Sequence, residues 1–285
     1  MERNKAYIIF SQLKRDYYGP SEIEYIYLVR KALLILWRIW FYILAAVPVI
    51  LLFLPLAFML LLPNGYRYVF WVARNLWAPI VLFGSGFWIK KTNSLPRVEE
   101  SAILIANHSS FMDIMLMFRM RKTPFVFVGK KELVQIPFFG YLYKRAAIMV
   151  DRSSIKSRQG VYQRAQEVIQ KGYSICIFPE KEYLDETILL NSFKKGAFKL
   201  ALEHGLPILP LVFLDCKRKF PWYTTYGYPG SLRVKVLEVL QVEEIQSKTI
   251  ETLQKESYYR IKSTLEKDPK KRALEAIELW KKKTA

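Results

Sequence analysis

The sequence predicts an α/β domain, a mostly parallel sheet flanked by helices, preceded by an N-terminal apolar helical hairpin. Three observations lead there. Across the middle of the 285-residue chain, short apolar runs alternate with amphipathic segments, the pattern of strands joined by covering helices. Residues 39–63 form a run of 25 without a charge, long enough to cross a hydrocarbon core of about 30 Å. The composition, 52% hydrophobic and 15% aromatic, exceeds what one soluble core needs, so some apolar surface must face something other than water. On these grounds residues 1–95 read as a membrane-associated helical region, 96–245 as the α/β domain and 246–285 as a basic helical tail.

The charge-free run, "IWFYILAAVPVILLFLPLAFMLLLP", contains Pro48 and Pro55 and is flanked by Arg30, Lys31 and Arg38 before it and Arg67 and Arg74 after it. Cations on both sides place both ends in the cytoplasm, and prolines interrupt helices, so a kinked or re-entrant hairpin is expected rather than a straight span. The run starts too far into the chain for a signal peptide and lacks a small-residue cleavage site. A second apolar stretch, "VFWVARNLWAPIVLFGSGFWI" at 69–89, offers Trp71, Trp77, Phe83 and Trp88 as headgroup anchors before Lys90 and Lys91. The alternative for both stretches is a buried hairpin in a soluble protein.

Six strands follow from "SAILIAN", "PFVFVG", "AAIMVDR", "YSICIFP", "PILPLVFLD" and "SLRVKVLEVL". Helices are expected over 157–171 and 192–204, each stopped by a glycine, Gly172 and Gly205. The tail, 246–285, holds 11 Lys or Arg against 6 Asp or Glu and no glycine; it reads as a solvated helix pair or as a contact for anionic lipid. A formal charge of +19 calls for an acidic partner. Nucleic acid is excluded as that partner, since no zinc spacing, helix-turn-helix or RNA-recognition motif is present. Cys176 and Cys216 are too few for a disulfide framework.

The stretch "ILIANHSSFMDIM", at 103–115, holds one of only two histidines. Open α/β sheets place their sites at the carboxyl ends of strands, and "AILIAN" delivers Asn107 and His108 to such an end. Ser109 or Ser110 then caps a helix, and Asp113, one turn in, can reach back to the imidazole. One ring nitrogen would donate to Asp113, which fixes the tautomer, and the other would be left to take a proton. The serines are read as caps, there being no G-x-S-x-G elbow. Other strand ends bring Lys130 and Lys131, then Asp151 and Arg152, then Glu180, followed by Lys194 and Lys195. Each has a plainer reading: a surface ion pair for Asp151 and Arg152, a turn for Glu180, a helix-end residue for His204, packing for Phe138 and Phe139.

Taken in order, N-H-x-x-x-x-D at 107–113, the lysine-rich stretch at 128–152, F-P-E at 178–180 and "LPILPL" at 206–211 resemble the four motifs of the glycerolipid acyltransferase family. The likeness covers about 100–239 and is nearest the bacterial 1-acyl-sn-glycerol-3-phosphate (lysophosphatidic acid) acyltransferases. It implies transfer of a fatty acyl group from acyl-CoA or acyl-carrier protein, as co-substrate, to the sn-2 hydroxyl of lysophosphatidic acid, giving phosphatidic acid. It implies His108 as base oriented by Asp113, with Lys130, Lys131 and Arg152 on the substrate phosphate and Asn107 and Glu180 in support. Neither a metal nor a bound cofactor is implied. The expected location is a membrane with anionic lipid, the bacterial inner membrane with the catalytic domain on the cytoplasmic face. The third motif departs from the family's F-P-E-G-T-R-S: Glu180 is followed by Lys181, Glu182 and Tyr183. The missing arginine leaves Lys181, or Lys194 with Lys195, to supply the charge. It also leaves open another lysolipid acceptor, or a non-catalytic membrane scaffold of the same fold.

Overall fold

A computed structural model describes residues 20–93, 101–150, 155–180, 185–270 and 274–284. Helix α1 (Pro20–Leu51) opens on a proline, whose fixed φ suits a first helical turn. It continues through Pro48 and breaks only at Leu52, where φ is −94° and ψ 9°. Pro55 lies in the first turn of α2 (Phe53–Met59), where no intrahelical partner is lost by its missing N–H. After a turn, α3 (Tyr66–Val72), a π-helical turn (Ala73–Trp77) and α4 (Ala78–Gly84) return alongside α1. Three indole N–H groups stitch the hairpin together: Trp37 to the Ser85 carbonyl at 3.1 Å, Trp40 to Gly84 at 2.8 Å, and Trp77, an expected headgroup anchor, to Ala45 at 2.9 Å. Among the described residues one helix is long and apolar enough to cross a membrane, over Glu24–Leu51 with mean hydropathy 2.2.

The second apolar stretch does not stay helical. It turns at Gly86, where φ is +77°, into strand β1 (Phe87–Lys91). Phe87 is buried and Trp88 exposed, the alternation of an edge strand with one covered face. The six expected strands are present as β2 (Ile103–Ala106), β3 (Phe125–Lys130), β4 (Ile148–Val150), β5 (Ser174–Ile177), β6 (Ile208–Phe213) and β7 (Gly230–Val236). With β1 they form one sheet in the order β1-β7-β6-β2-β5-β3-β4. The run from β6 to β4 is parallel, whereas β7 is antiparallel to β6 and carries β1 parallel to itself. The sheet is therefore mixed at one edge.

Crossovers follow the strands: α5 (Met112–Met120) after β2, α6 (Phe139–Ala146) after a short 3₁₀ turn (Lys131–Gln135), α7 (Ile155–Gln170), and α8 (Gly196–His204). Gly205 takes the left-handed conformation beyond α8, as its position after the periodic run predicts. Next come α9 (Cys216–Lys219), α10 (Val242–Gln246), α11 (Ile250–Lys267) and α12 (Leu274–Thr284). Side chains of β2 divide between two cores. Leu104 and Ala106 meet Phe41, Val81, Leu82 and Met115 on one face; Ile103 and Ile105 meet Ala165, Phe198, Leu253 and Ile261 on the other. The basic tail is thus not a solvated pair: α11 buries Leu253, Ser257, Ile261 and Leu265, four residues apart on one stripe, over the sheet.

Candidate active site

The site begins where β2 runs out. Asn107 extends the β2–β6 ladder with its side chain, its Nδ2 donating to the Phe213 carbonyl at 3.0 Å while its Oδ1 accepts from the Phe213 N–H at 2.8 Å. A buried primary amide is the side chain that can both donate and accept in place of a peptide group. The next residue, His108, leaves the sheet edge with its backbone N–H bonded to Glu180 Oε1 at 2.6 Å.

His108 Nδ1 lies 3.0 Å from Asp113 Oδ2, and that oxygen also accepts the backbone N–H groups of Ser109 at 2.7 Å and Ser110 at 2.9 Å. Asp113 is fully buried. A carboxylate so bonded to N–H donors can only accept, which assigns the ring proton to Nδ1 and leaves Nε2 as the basic nitrogen. Ser110 Oγ accepts from the Met112 N–H at 3.1 Å and donates to the Phe220 carbonyl at 2.5 Å. Neither serine is the cap that the sequence predicts: the N-cap position of α5 falls on Phe111, without a side-chain cap bond, and Ser110 takes the Met112 N–H from one position further out. Behind Asp113 lies the buried Cys216 thiol, pushed well above the ordinary range by burial and then by the Asp113 charge.

Two aromatic rings fix the imidazole. Phe178 stacks on it with centroids 3.9 Å apart and planes 12° from parallel, and Trp222 meets it edge-on at 4.5 Å and 88°. Phe127 stacks behind Phe178, and Phe111 touches Trp222 from the outer side. With the His108 side chain 23% exposed and Asp113 at 0%, the ring is open to a substrate while its orienting carboxylate is sealed. Among the described residues no hydrogen-bond partner occupies Nε2.

Glu180 is a buried carboxyl bonded at both oxygens, to His108 N–H and, at 2.8 Å, to Asn191 N–H. Burial pushes it up to about 8, even though the two amides and the Lys217 ammonium pull it down. It braces the dyad rather than beginning a simple turn. Lys130 ends β3 half-buried and Lys131 follows it exposed, two strand spacings from His108 across β5, about 10 Å on the same sheet edge. Lys194 is exposed beside the site, its backbone N–H on the Pro179 carbonyl at 2.7 Å. Lys195 goes elsewhere: its ammonium pairs with Glu251 on α11 at 2.5 Å, both side chains being more than half exposed. Asp151, Arg152 and Lys181 lie outside the described residues. Sequence reasoning missed Phe178, Trp222 and Lys217, whose ammonium donates to the Ile188 carbonyl. Phe178 sits inside the F-P-E block itself, and Trp222 in the aromatic-dense "FPWYTTYGYPG".

A histidine–carboxylate pair at the mouth of a parallel sheet, beside a row of lysines, suits base-assisted attack of a hydroxyl on an acyl group carried by an anionic substrate. The family model for acyltransferases matches residues 88–214, which contain both members of the pair. The chain is similar to 1-acyl-sn-glycerol-3-phosphate acyltransferases of Cocos nucifera, 30% identical over 186 residues (65% of this chain and 56% of the relative), and of Haemophilus influenzae, 36% identical over 131 residues (44% and 54%). The chain spans about half the length of the curated relatives it matches first, from 38% to 56% of the plant and algal proteins. Its fold is that of the crystal structure of the 1-acyl-sn-glycerophosphate acyltransferase PlsC from Thermotoga maritima, with a TM-score of 0.65 at 23% identity, covering 84% of this chain and 95% of that one.

Proposed function

We propose that this protein transfers a fatty acyl group from an acyl thioester to the sn-2 hydroxyl of 1-acyl-glycerol-3-phosphate, producing phosphatidic acid in phospholipid synthesis. The observation that carries the reading is the His108–Asp113 pair, with its Nε2 unpartnered among the described residues, in a chain whose relatives bear that name. Nε2 removes the hydroxyl proton as the oxygen attacks the thioester carbonyl; the tetrahedral adduct collapses, expelling the thiolate, which takes the proton back from the imidazolium. Asp113 keeps the imidazole in the required tautomer and stabilises the transient cation. No residue is acylated in this scheme, in keeping with Ser110 being committed to Phe220 and Met112. The acyl donor is acyl-CoA or an acyl-carrier protein, and no metal or bound cofactor takes part.

Lys130, Lys131 and Lys194 beside Pro179, together with Arg152 and Lys181, which lie outside the described residues, would supply the cations for the substrate phosphate. The protein would work at a membrane bearing anionic lipid, the cytoplasmic face of a bacterial inner membrane, with α1 and its hairpin setting the depth of the site.

The test is an acyl-transfer assay in vesicles, offering oleoyl-CoA or an acyl-carrier protein with lysophosphatidic acid, other lysophospholipids or glycerol-3-phosphate. Phosphatidic acid should form with wild type, and His108→Ala should lower kcat by about 10²–10⁴. Asp113→Asn, which can keep an amide oxygen for the three N–H groups but loses the carboxylate charge that supports the imidazolium, should lower it on the order of a hundredfold or more with little change in KM. Transfer only to another acceptor would replace the substrate, and no transfer by folded protein would leave a scaffold.

A further inference from the structure

Residues 32–66 contain a single charge, Arg38, in the middle of α1. A lone cation in so apolar a helix requires partners that repay its desolvation, and such residues mark function more often than not. Arg38 is 9% exposed and turned inward. Its Nη1 donates to the Pro221 carbonyl and its Nη2 to the Tyr226 carbonyl, both at 2.7 Å, and its guanidinium lies 3.9 Å from the centroid of the Phe220 ring. A planar fork that binds two carbonyls while lying on a ring is a task for arginine, which lysine's point charge cannot perform.

The loop it holds, residues 220–226, forms one wall of the active site. The Phe220 carbonyl accepts Ser110 Oγ, the Trp222 N–H donates to the Ser109 carbonyl at 3.4 Å, and the Trp222 ring stands edge-on to His108. Phe41, one turn further along α1, packs on Phe220 at 4.7 Å and on Phe111 at 5.9 Å. The outer face of the same helix shows Leu36, Ile39 and Ile43 to the surroundings. One helix therefore presents an apolar face outward and grips the catalytic wall from within.

We propose that Arg38 is a positioning residue that ties α1 to the 220–226 loop and so holds Trp222 against His108, making the geometry of the dyad depend on the seating of α1. This rests on the reading of His108 as the base. It predicts that loosening Arg38 disturbs His108 without touching substrate binding.

The chain carries two histidines, so ¹³C-histidine labelling in nanodiscs gives two imidazole signals, with His108→Ala assigning them. The His108 signal carries ring-current shifts from Phe178 and Trp222. In Arg38→Met it should move in the direction seen for Trp222→Leu while His204 stays in place. Lipid kinetics on the same variant should show kcat lower by about ten- to a hundredfold and KM within about twofold. The double variant should be no slower than the slower single, because both act through one contact. Arg38→Lys, which can keep one of the two carbonyls, should fall between and serves alone if Arg38→Met does not fold. An unmoved His108 signal, an unchanged kcat, or a loss confined to KM would overturn the proposal. If wild type transfers no acyl group, the functional reading fails, and the His108 signal alone decides the role of Arg38.

Discussion

At Glu180 burial and hydrogen bonding pull in opposite directions, and burial prevails. A carboxyl raised from 4.5 to about 8 in the fold takes up a proton on folding between those pH values, so its contribution to stability falls as pH rises through that window. Wild type should therefore lose thermal stability between pH 6 and 9 more steeply than Glu180→Gln, in which the titration is abolished. Parallel stability–pH curves for the two proteins would sink the assignment. The same residue shows what the sequence reveals at this scale. The histidine and its carboxylate are five positions apart, and one bend brings them together, so local spacing sufficed to pair them. Glu180 and Asn107 act on partners 72 and 106 positions away, a relation that no spacing rule contains. Trp222 touches His108 across a still longer separation, and its "FPWYT" context reads as any aromatic turn.

Among the elements, the β–α alternation was readable wherever apolar runs were short and bounded by turn residues, as for β2, β5 and β6. β1 was hidden because its five residues continue an apolar helix without a change in composition, and only the left-handed Gly86 marks the boundary. The antiparallel course of β7 was equally hidden, since strand direction follows from where the connecting loop goes. That loop packs tightly. A Cβ on Gly227 would fall 2.3 Å from the Lys219 carbonyl oxygen and 3.1 Å from the Trp37 ring, and a carbonyl held by the Tyr228 N–H at 3.1 Å has little freedom to yield. Gly227→Ala should destabilise the protein by about 1–3 kcal/mol and, through the loop's grip on α1 and Trp222, lower kcat as well. Calorimetry alongside the acyl-transfer assay checks both, and an alanine tolerated in each would mean that the loop is softer than its packing implies.

For the whole molecule, the proposed membrane site would engage two kinds of surface, and they answer differently to salt. On the proposed function the net charge of +19 would attract anionic lipid over a Debye length of about 8 Å at physiological ionic strength, and added salt should screen it. The apolar face is indifferent to salt. It runs from Leu36 and Ile43 on α1 through Leu54 and Phe58 on α2 to Trp71, Ile80 and Phe83 on the returning helices, all exposed. Exposed apolar area on this scale is uncommon on soluble monomers and marks a surface that lipid or another protein covers. Leu36 and Ile43 are seven positions apart, two helical turns, and each is worth about 1.5–3 kcal/mol when moved out of water. Replacing both with glutamine should weaken binding to vesicles containing anionic lipid on the order of a hundredfold or more, and should convert salt-resistant binding into binding that high salt abolishes. Arg38 faces away from both positions, so the His108 signal in detergent should not move. Salt-sensitive flotation of the wild type, with no further loss in the double variant, would instead make charge the whole of the attraction and leave the apolar face to a protein partner.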